Sequence, residues 1–246
     1  MPANLPQAAE IRERYLRVTG EIATAAKAAG RGPGPVRLVV VTKTHPIETV
    51  RAVIAAGARD LGENYTEDAL PKIEAIGRVD GLRWHMIGHV QSRKAELVTG
   101  HFNMLHSLDS PKLAARLDRF AAQARRRLPV LLEVNVSGED SKFGYPASTE
   151  AQWQALGAGL ARFDLLSNLE IRGLMTMPPL APQPEASRPY FRRMYALQRY
   201  LQQNFPQFAW QELSMGTSTD YLVAVEEGAT LVRVGTAILG LRPARA

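Results

Sequence analysis

Lys43 ends the run Val36-Arg37-Leu38-Val39-Val40-Val41-Thr42, and an amine closing a β-branched apolar run is a candidate for chemistry. Such a run reads as a strand buried on both faces, as in a parallel sheet. Burying an ammonium is costly unless it is paired or its pKa falls until it sits neutral. Two readings of Lys43 are open. Either the strand emerges into water there, with the stem lying over the sheet edge, or the amine is a desolvated nucleophile able to form a Schiff base with a carbonyl. Arg233 poses the same question inside Leu231-Val232-Arg233-Val234. A guanidinium cannot shed its proton to lower the cost of burial, so it must meet an acceptor. A pyridine nitrogen or an internal carboxylate would serve, and the local residues favour the carboxylate.

A second group of residues suits an anion. Ser214-Met215-Gly216-Thr217-Ser218 offers hydroxyls and backbone N–H groups at the expected start of a helix, and Gly235-Thr236 offers another close backbone approach. The alternative stays open that Ser218 is an ordinary N-cap and the glycines ordinary turns. His85 and His89 are four apart, but Gly88 intervenes on a strand-to-loop segment, so no metal site is expected.

Alternating strands and helices are what must position these groups. An amphipathic helix is predicted over about 7–29, from Ala8, Ile11, Tyr15, Val18, Ile22 and Ala25, and is broken by Gly30, Gly32, Pro33, Gly34 and Pro35. Eight strands follow, near 36–42, 59–63, 82–88, 103–108, 128–136, 169–175, 212–214 and 231–234, with a helix after each of the first seven. Pro46 opens one helix and Gly57 stops it, and Asp109-Ser110-Pro111 caps another. An internal echo, Ala55-Ala56-Gly57-Ala58 and Glu226-Glu227-Gly228-Ala229, puts a glycine C-cap before a short strand twice. The expected fold is a single (β/α)8 TIM barrel, about 36–240, with an extra N-terminal helix and the whole of 1–246 as one domain. A doubly wound open sheet is the fallback. In such a barrel the working face lies at the carboxyl ends of the strands. Lys43, Glu63, Asn64, His85, Asn135, Met175, Ser214, Gly216, Arg233 and Gly235 all fall there.

Composition narrows the classes. The 246 residues are 46% hydrophobic and 22% charged, the ordinary balance of a globular protein. There is no cysteine, which excludes a disulfide scaffold and a thiolate nucleophile and fits the cytoplasm. Met1 to Glu10 lacks a basic start before an apolar core, and no stretch reaches the apolar length of a spanning helix, so no membrane association is expected. Net charge is +6 with a pI near 9.8. The one tight basic cluster, Arg125-Arg126-Arg127, falls at a predicted helix end where cations meet the dipole, and no nucleic-acid partner is expected.

The segments Val41-Thr42-Lys43-Thr44, Gly62-Glu63-Asn64-Tyr65, Trp84-His85-Met86-Ile87-Gly88, Gln91-Ser92 with Lys94, Gly173 to Met177, Leu213 to Gly216 and Val232 to Ile238 resemble the successive motifs of the pyridoxal phosphate homeostasis protein family. They come in the family's order and span nearly the whole chain. The resemblance implies a fold-type III barrel that binds pyridoxal 5'-phosphate (PLP), related to the N-terminal domain of alanine racemases. By that likeness Lys43 carries the cofactor as a Schiff base. Ser214, Gly216, Gly235 and Thr236 hold its phosphate, Arg233 faces the pyridine nitrogen, Asn64 and His85 line the ring pocket, and Met215 lies beside it. The sequence departs from the family at Arg93, where Asn is common, at Thr217, where a second Met is common, and at Thr42, where Ser is usual.

The resemblance implies a carrier or regulator in intracellular PLP homeostasis; PLP-accepting apoenzymes are the expected partners, and a monomer is the expected state, on which the sequence itself is silent. An arginine against the pyridine nitrogen keeps it unprotonated, which removes much of PLP's power as an electron sink. A PLP-dependent amino-acid racemase or lyase is the alternative. Racemases of this type manage with such an arginine but add a catalytic tyrosine from a second domain, and this chain ends at Ala246, soon after strand eight. Tyr65 and Tyr145 are the tyrosines placed to reach the mouth. A barrel enzyme acting on a phosphorylated sugar would leave Lys43 and Arg233 without matching roles.

Overall fold

The computed structural model describes residues 5–32 and 36–240. Pro33, Gly34 and Pro35, read above as helix-breaking, lie outside the described residues.

The first helix, α1 (Leu5–Ala28), places Ile11, Val18 and Ile22 on one buried face, as the spacing predicts. It lies against α2, α8 and α9. Strand β1 (Arg37–Val41) leads to α2 (Ile47–Ala55), then β2 (Asp60–Glu63), α3 (Thr66–Ile76), β3 (Arg83–Met86) and α4 (Ala95–His101). Next come β4 (Met104–Leu108), α5 (Pro111–Gln123), β5 (Leu128–Asn135), the two-residue β6 (Tyr145–Pro146), α6 (Glu150–Leu160) and β7 (Leu169–Met175). The chain continues through α7 (Arg188–Asn204), β8 (Glu212–Ser214), α8 (Tyr221–Glu226), β9 (Leu231–Val234) and α9 (Thr236–Leu239). All strands but β6 pair in parallel in the order β1-β2-β3-β4-β5-β7-β8-β9, and β9 returns to β1, so the sheet closes on itself as an eight-stranded barrel. The expected barrel is therefore found, and β6 is a short addition on β5.

Two clusters make the core. Val40, Leu61, Leu105, Leu132, Leu174 and Val232 face outward into the large strand–helix cluster. Val39, Met104, Leu131, Met175 and Leu231, displaced by one residue along their strands, fill the barrel interior. The sequence echo has a structural counterpart: Gly57 and Gly228 take φ of 113° and 101°, and Ala58 N and Ala229 N each donate back to Val53 O and Ala224 O. Both helices thus end in the same left-handed closure, which a side chain at either glycine would strain.

The helix after β8 runs Tyr221–Glu226, inside the span 220–227 that the sequence pattern suggests, and ahead of it Asp220 Oδ1 accepts from Thr217 N and Oγ1 and ties 217–220 into a turn. The last strand is followed at once by α9, which the sequence reading did not anticipate. At the basic cluster, Arg126 donates to Thr99 O and Phe102 O, capping the carboxyl end of α4, and Arg127 donates to Leu169 O. Two of the three arginines therefore serve helix and strand ends. No helix among the described residues is long and apolar enough to cross a membrane.

Candidate functional site

A cavity of about 720 Å3 opens at the carboxyl ends of the barrel strands. Lys43 stands on its wall two residues past β1, and the backbone beneath it is held from three sides. Thr42 N donates to Gly62 O at 3.0 Å. Thr42 Oγ1 donates to Glu63 Oε1 at 2.7 Å, while Lys72 Nζ donates to Thr42 O at 2.9 Å and to Glu63 Oε1 at 2.8 Å. Glu63 is wholly buried, and its carboxylate is offset by the Lys72 ammonium. Thr44, the next residue, sits at φ 65°, a left-handed conformation that a β-branched side chain adopts only when its surroundings impose it. The bend that releases Lys43 from the strand is thus anchored by buried polar groups.

Arg233 lies at the floor, 3% exposed yet on the cavity wall. The expectation of an internal carboxylate is corrected here. Its NH1 donates to Ser214 Oγ at 2.5 Å, and its NH2 donates to Thr176 O at 2.9 Å and to Met177 Sδ. Burial pulls the guanidinium down to about 10, partly offset by Asp220 and Glu133, which leaves it cationic at neutral pH.

Past the ends of β8 and β9, Thr217, Ser218, Gly235 and Thr236 form one hydroxyl-rich wall of the cavity. Ser218 Oγ accepts from Gly235 N at 3.1 Å and from Ala237 N at 3.3 Å, so it binds the two loops together and does not cap α8. A Cβ at Gly235 would stand 3.2 Å from Val41 O, the cavity wall beneath Lys43, and this close approach keeps the last loop beside β1. Asn64 also lines the cavity.

The structure brings together Lys43, Asn64, Arg233, Gly235 and Thr236 of the expected set. The other four lie off the cavity wall. His85 and Ser214 are buried in the barrel interior, held by polar partners described below. Met215 packs in the strand–helix core, and a Cβ at Gly216 would stand 2.5 Å from Ala224 Cβ. Strand register decides this: Ser214 pairs with Met175 and Leu231, which places it one level below the loop that follows.

Several wall residues escaped the sequence reading. Glu133 is the clearest: a carboxylate in the apolar strand Leu128–Asn135, the same kind of signal that singled out Lys43 and Arg233. Its Oε2 is buried without a hydrogen-bond partner. Burial and the nearby Asp109 push it up to about 7, against a pull from Arg233. A carboxyl whose folded value is raised binds its proton more tightly in the folded state. Its contribution is therefore complete below the ordinary carboxylate range and is lost as pH rises to about 7. Thermal or urea unfolding of the apo protein is expected to show stability falling by roughly 1–3 kcal/mol across that interval, with a slope of at most about 1.4 kcal/mol per unit. Glu133→Gln should flatten the dependence, and an equally steep curve in that variant would refute the assignment.

Among the described residues no group of three metal-ligating side chains is found. His89 Nδ1 instead contacts Asp109 Oδ2 at 2.8 Å, and its ring stacks on Phe143. Tyr65 lines the cavity, 46% exposed. Tyr145 has a buried hydroxyl without a partner, pushed up by burial and by Asp109.

A closed parallel barrel with a lysine past its first strand and an arginine on its last defines a class, and residues 19–243 match the family model for the alanine racemase N-terminal domain. The pyridoxal phosphate homeostasis protein of Aquifex aeolicus is 39% identical over 231 residues, covering 94% of this chain and 97% of that one. PipY of Synechococcus elongatus, solved with PLP bound, is 35% identical with a TM-score of 0.79, covering 94% of this chain and all of that one. Alanine racemase of Streptomyces coelicolor shares the fold, with a TM-score of 0.70 at 20% identity, but only 59% of its chain is matched. The chain belongs to the pyridoxal phosphate homeostasis protein family.

Proposed function

We propose that this chain binds PLP through Lys43 and acts as a carrier or regulator of that cofactor, with the whole chain serving as one binding domain. The observation that carries the reading is the placement of three unlike groups around one cavity. A lysine amine past β1, a hydroxyl-rich wall past β8 and β9, and a buried guanidinium on the floor match an aldehyde, a phosphate and a ring nitrogen in turn. Lys43 would hold the aldehyde carbon covalently. Thr217, Ser218, Gly235 and Thr236 would hold the phosphate, with the inward Ser214 and Gly216 supporting that loop from below. Asn64 would flank the ring, while His85 and Met215 would act from behind the wall. PLP supplies an electron sink when its ring nitrogen is protonated.

Arg233 weakens the electron sink, though racemases of this fold type manage with such an arginine. It can only donate hydrogen bonds, so an acceptor facing it stays unprotonated. Tyr145, whose hydroxyl burial pushes up, is the opposite of a tyrosine poised to abstract a proton. The likeness to racemases is in fold alone, whereas relatives named for homeostasis match along almost their entire length. Release to PLP-accepting apoenzymes as a cytoplasmic monomer completes the reading, and a cysteine-free chain fits a reducing compartment. Arg126 and Arg127, engaged with backbone carbonyls, support no nucleic-acid role.

The test is a PLP titration followed by incubation with D- and L-alanine. A saturable visible band with no steady interconversion of the enantiomers is expected. Sustained turnover would favour the racemase reading over the carrier.

A further inference from the structure

The barrel interior contains an uninterrupted line of hydrogen-bonded polar side chains. Asp60, the first residue of β2, is held by the exposed Arg83: Nε donates to Oδ1 and NH2 to Oδ2, both at 2.7 Å. His85 Nε2 lies 2.8 Å from Asp60 Oδ1. His85 Nδ1 lies 2.9 Å from His106 Nε2, and His106 Nδ1 lies 2.9 Å from Ser214 Oγ. Ser214 Oγ then meets Arg233 NH1 at 2.5 Å. The line thus runs from the start of β2, through β3, β4 and β8, to the guanidinium on the cavity floor.

Its direction is fixed from both ends. An ionised carboxylate only accepts, so His85 Nε2 must carry a hydrogen. A guanidinium only donates, so Ser214 Oγ accepts from Arg233 and is left with one hydrogen to give. With both imidazoles neutral, Ser214 donates to His106 Nδ1, His106 Nε2–H donates to His85 Nδ1, and His85 Nε2–H donates to Asp60. No proton is missing or surplus, and every donor points from Arg233 toward Asp60. Burial disfavours the imidazolium of both rings, which agrees with this assignment. The charged or titratable groups facing His85 are Asp60 on β2, Arg37 on β1, Arg83 on its own strand and His106 on β4. Those facing His106 are His85, Arg233 on β9 and Arg37.

We propose that Asp60, His85, His106 and Ser214 form a one-way hydrogen-bond chain that orients Arg233 and links its charge to a carboxylate at the other end of the barrel. The buried guanidinium has no carboxylate within hydrogen-bond reach among the described residues, and the aligned dipoles carry the influence of Asp60 to it. These four are positioning residues: each acts through Arg233, and neither Asp60 nor His106 lines the cavity.

The chain itself is tested without any ligand. Long-range proton–nitrogen spectra of 15N-histidine protein, assigned with His106→Phe, should show both rings as neutral Nε2–H tautomers. That state should persist across the interval from about pH 5 to 8 in which a free imidazole changes charge. An Nδ1–H tautomer at either ring, or titration like that of an exposed histidine, would overturn the proposal.

The influence on the site rests on the PLP reading and is tested with Asp60→Asn, which is remote from the cavity. PLP affinity should fall at least fivefold in that variant, with a shifted absorbance maximum. Leu117→Ala, a core truncation in α5, serves as a control for general loosening and should stay within twofold of the parent. Equal affinities in Asp60→Asn and the parent, or equal losses in both variants, would refute the positioning role. If the parent itself took up no PLP, the functional reading would fail, and the tautomers would still decide whether the chain exists.

Discussion

Lys43→Ala is expected to abolish the visible absorbance of the PLP-loaded protein while leaving the barrel folded. The substituted side chain lines the cavity from a turn, and the strand and bend beneath it are held by Thr42, Glu63 and Lys72, none of which the substitution replaces. Removing a side chain at a cavity mouth opens no void in the core, so the unfolding free energy of the apo protein should change by no more than about 0.5 kcal/mol, as at sites away from packing. The loss of covalent attachment is total, since no other amine can replace the geometry that β1 supplies. Absorbance after PLP incubation and gel filtration checks the first point, and circular dichroism the second. A yellow species surviving the substitution would contradict the role given to Lys43.

Arg233→Ala should have the next largest effect, and it differs in kind. Ser214 Oγ and Thr176 O lose their charged donor, and a cavity opens in a position only 3% exposed. A stability loss of about 2–5 kcal/mol is expected from truncation and orphaned acceptors together. A charged hydrogen bond is worth about 1.5–3 kcal/mol, so PLP retention should fall by roughly tenfold to a hundredfold. Arg233→Lys separates the two contributions. It keeps the charge but loses the planar fork, so it should recover part of the stability and little of the affinity. Equilibrium dialysis alongside thermal melts distinguishes these outcomes. Unchanged affinity and spectrum in both variants would remove Arg233 from the site.

Much of this architecture was legible in the residues alone. The β-branched runs of β1 and β9, the glycine closures at Gly57 and Gly228 and the cap at Ser110 all mark element ends through local backbone chemistry. Those signals act over a few residues, which is why they survive without tertiary information. The lysine past β1 and the arginine in β9 stood out for the same reason, since a charge in an apolar strand is conspicuous in one dimension.

What could not be read was direction. Whether Ser214 and His85 face the cavity or the interior depends on the stagger between strands, and that follows from barrel closure, not from either segment. Their partners lie 108 and 21 residues away, at His106. Glu133, a carboxylate on an apolar strand, carries a local signal of the same kind as Lys43 and Arg233.

The most direct measurement is borohydride reduction of the PLP-loaded protein, followed by peptide mapping by mass spectrometry. A single irreversible adduct of PLP's mass on the peptide carrying Lys43 is the expected result. An adduct on Lys94 or Lys142, which share the cavity wall, with Lys43 unmodified, would contradict the account.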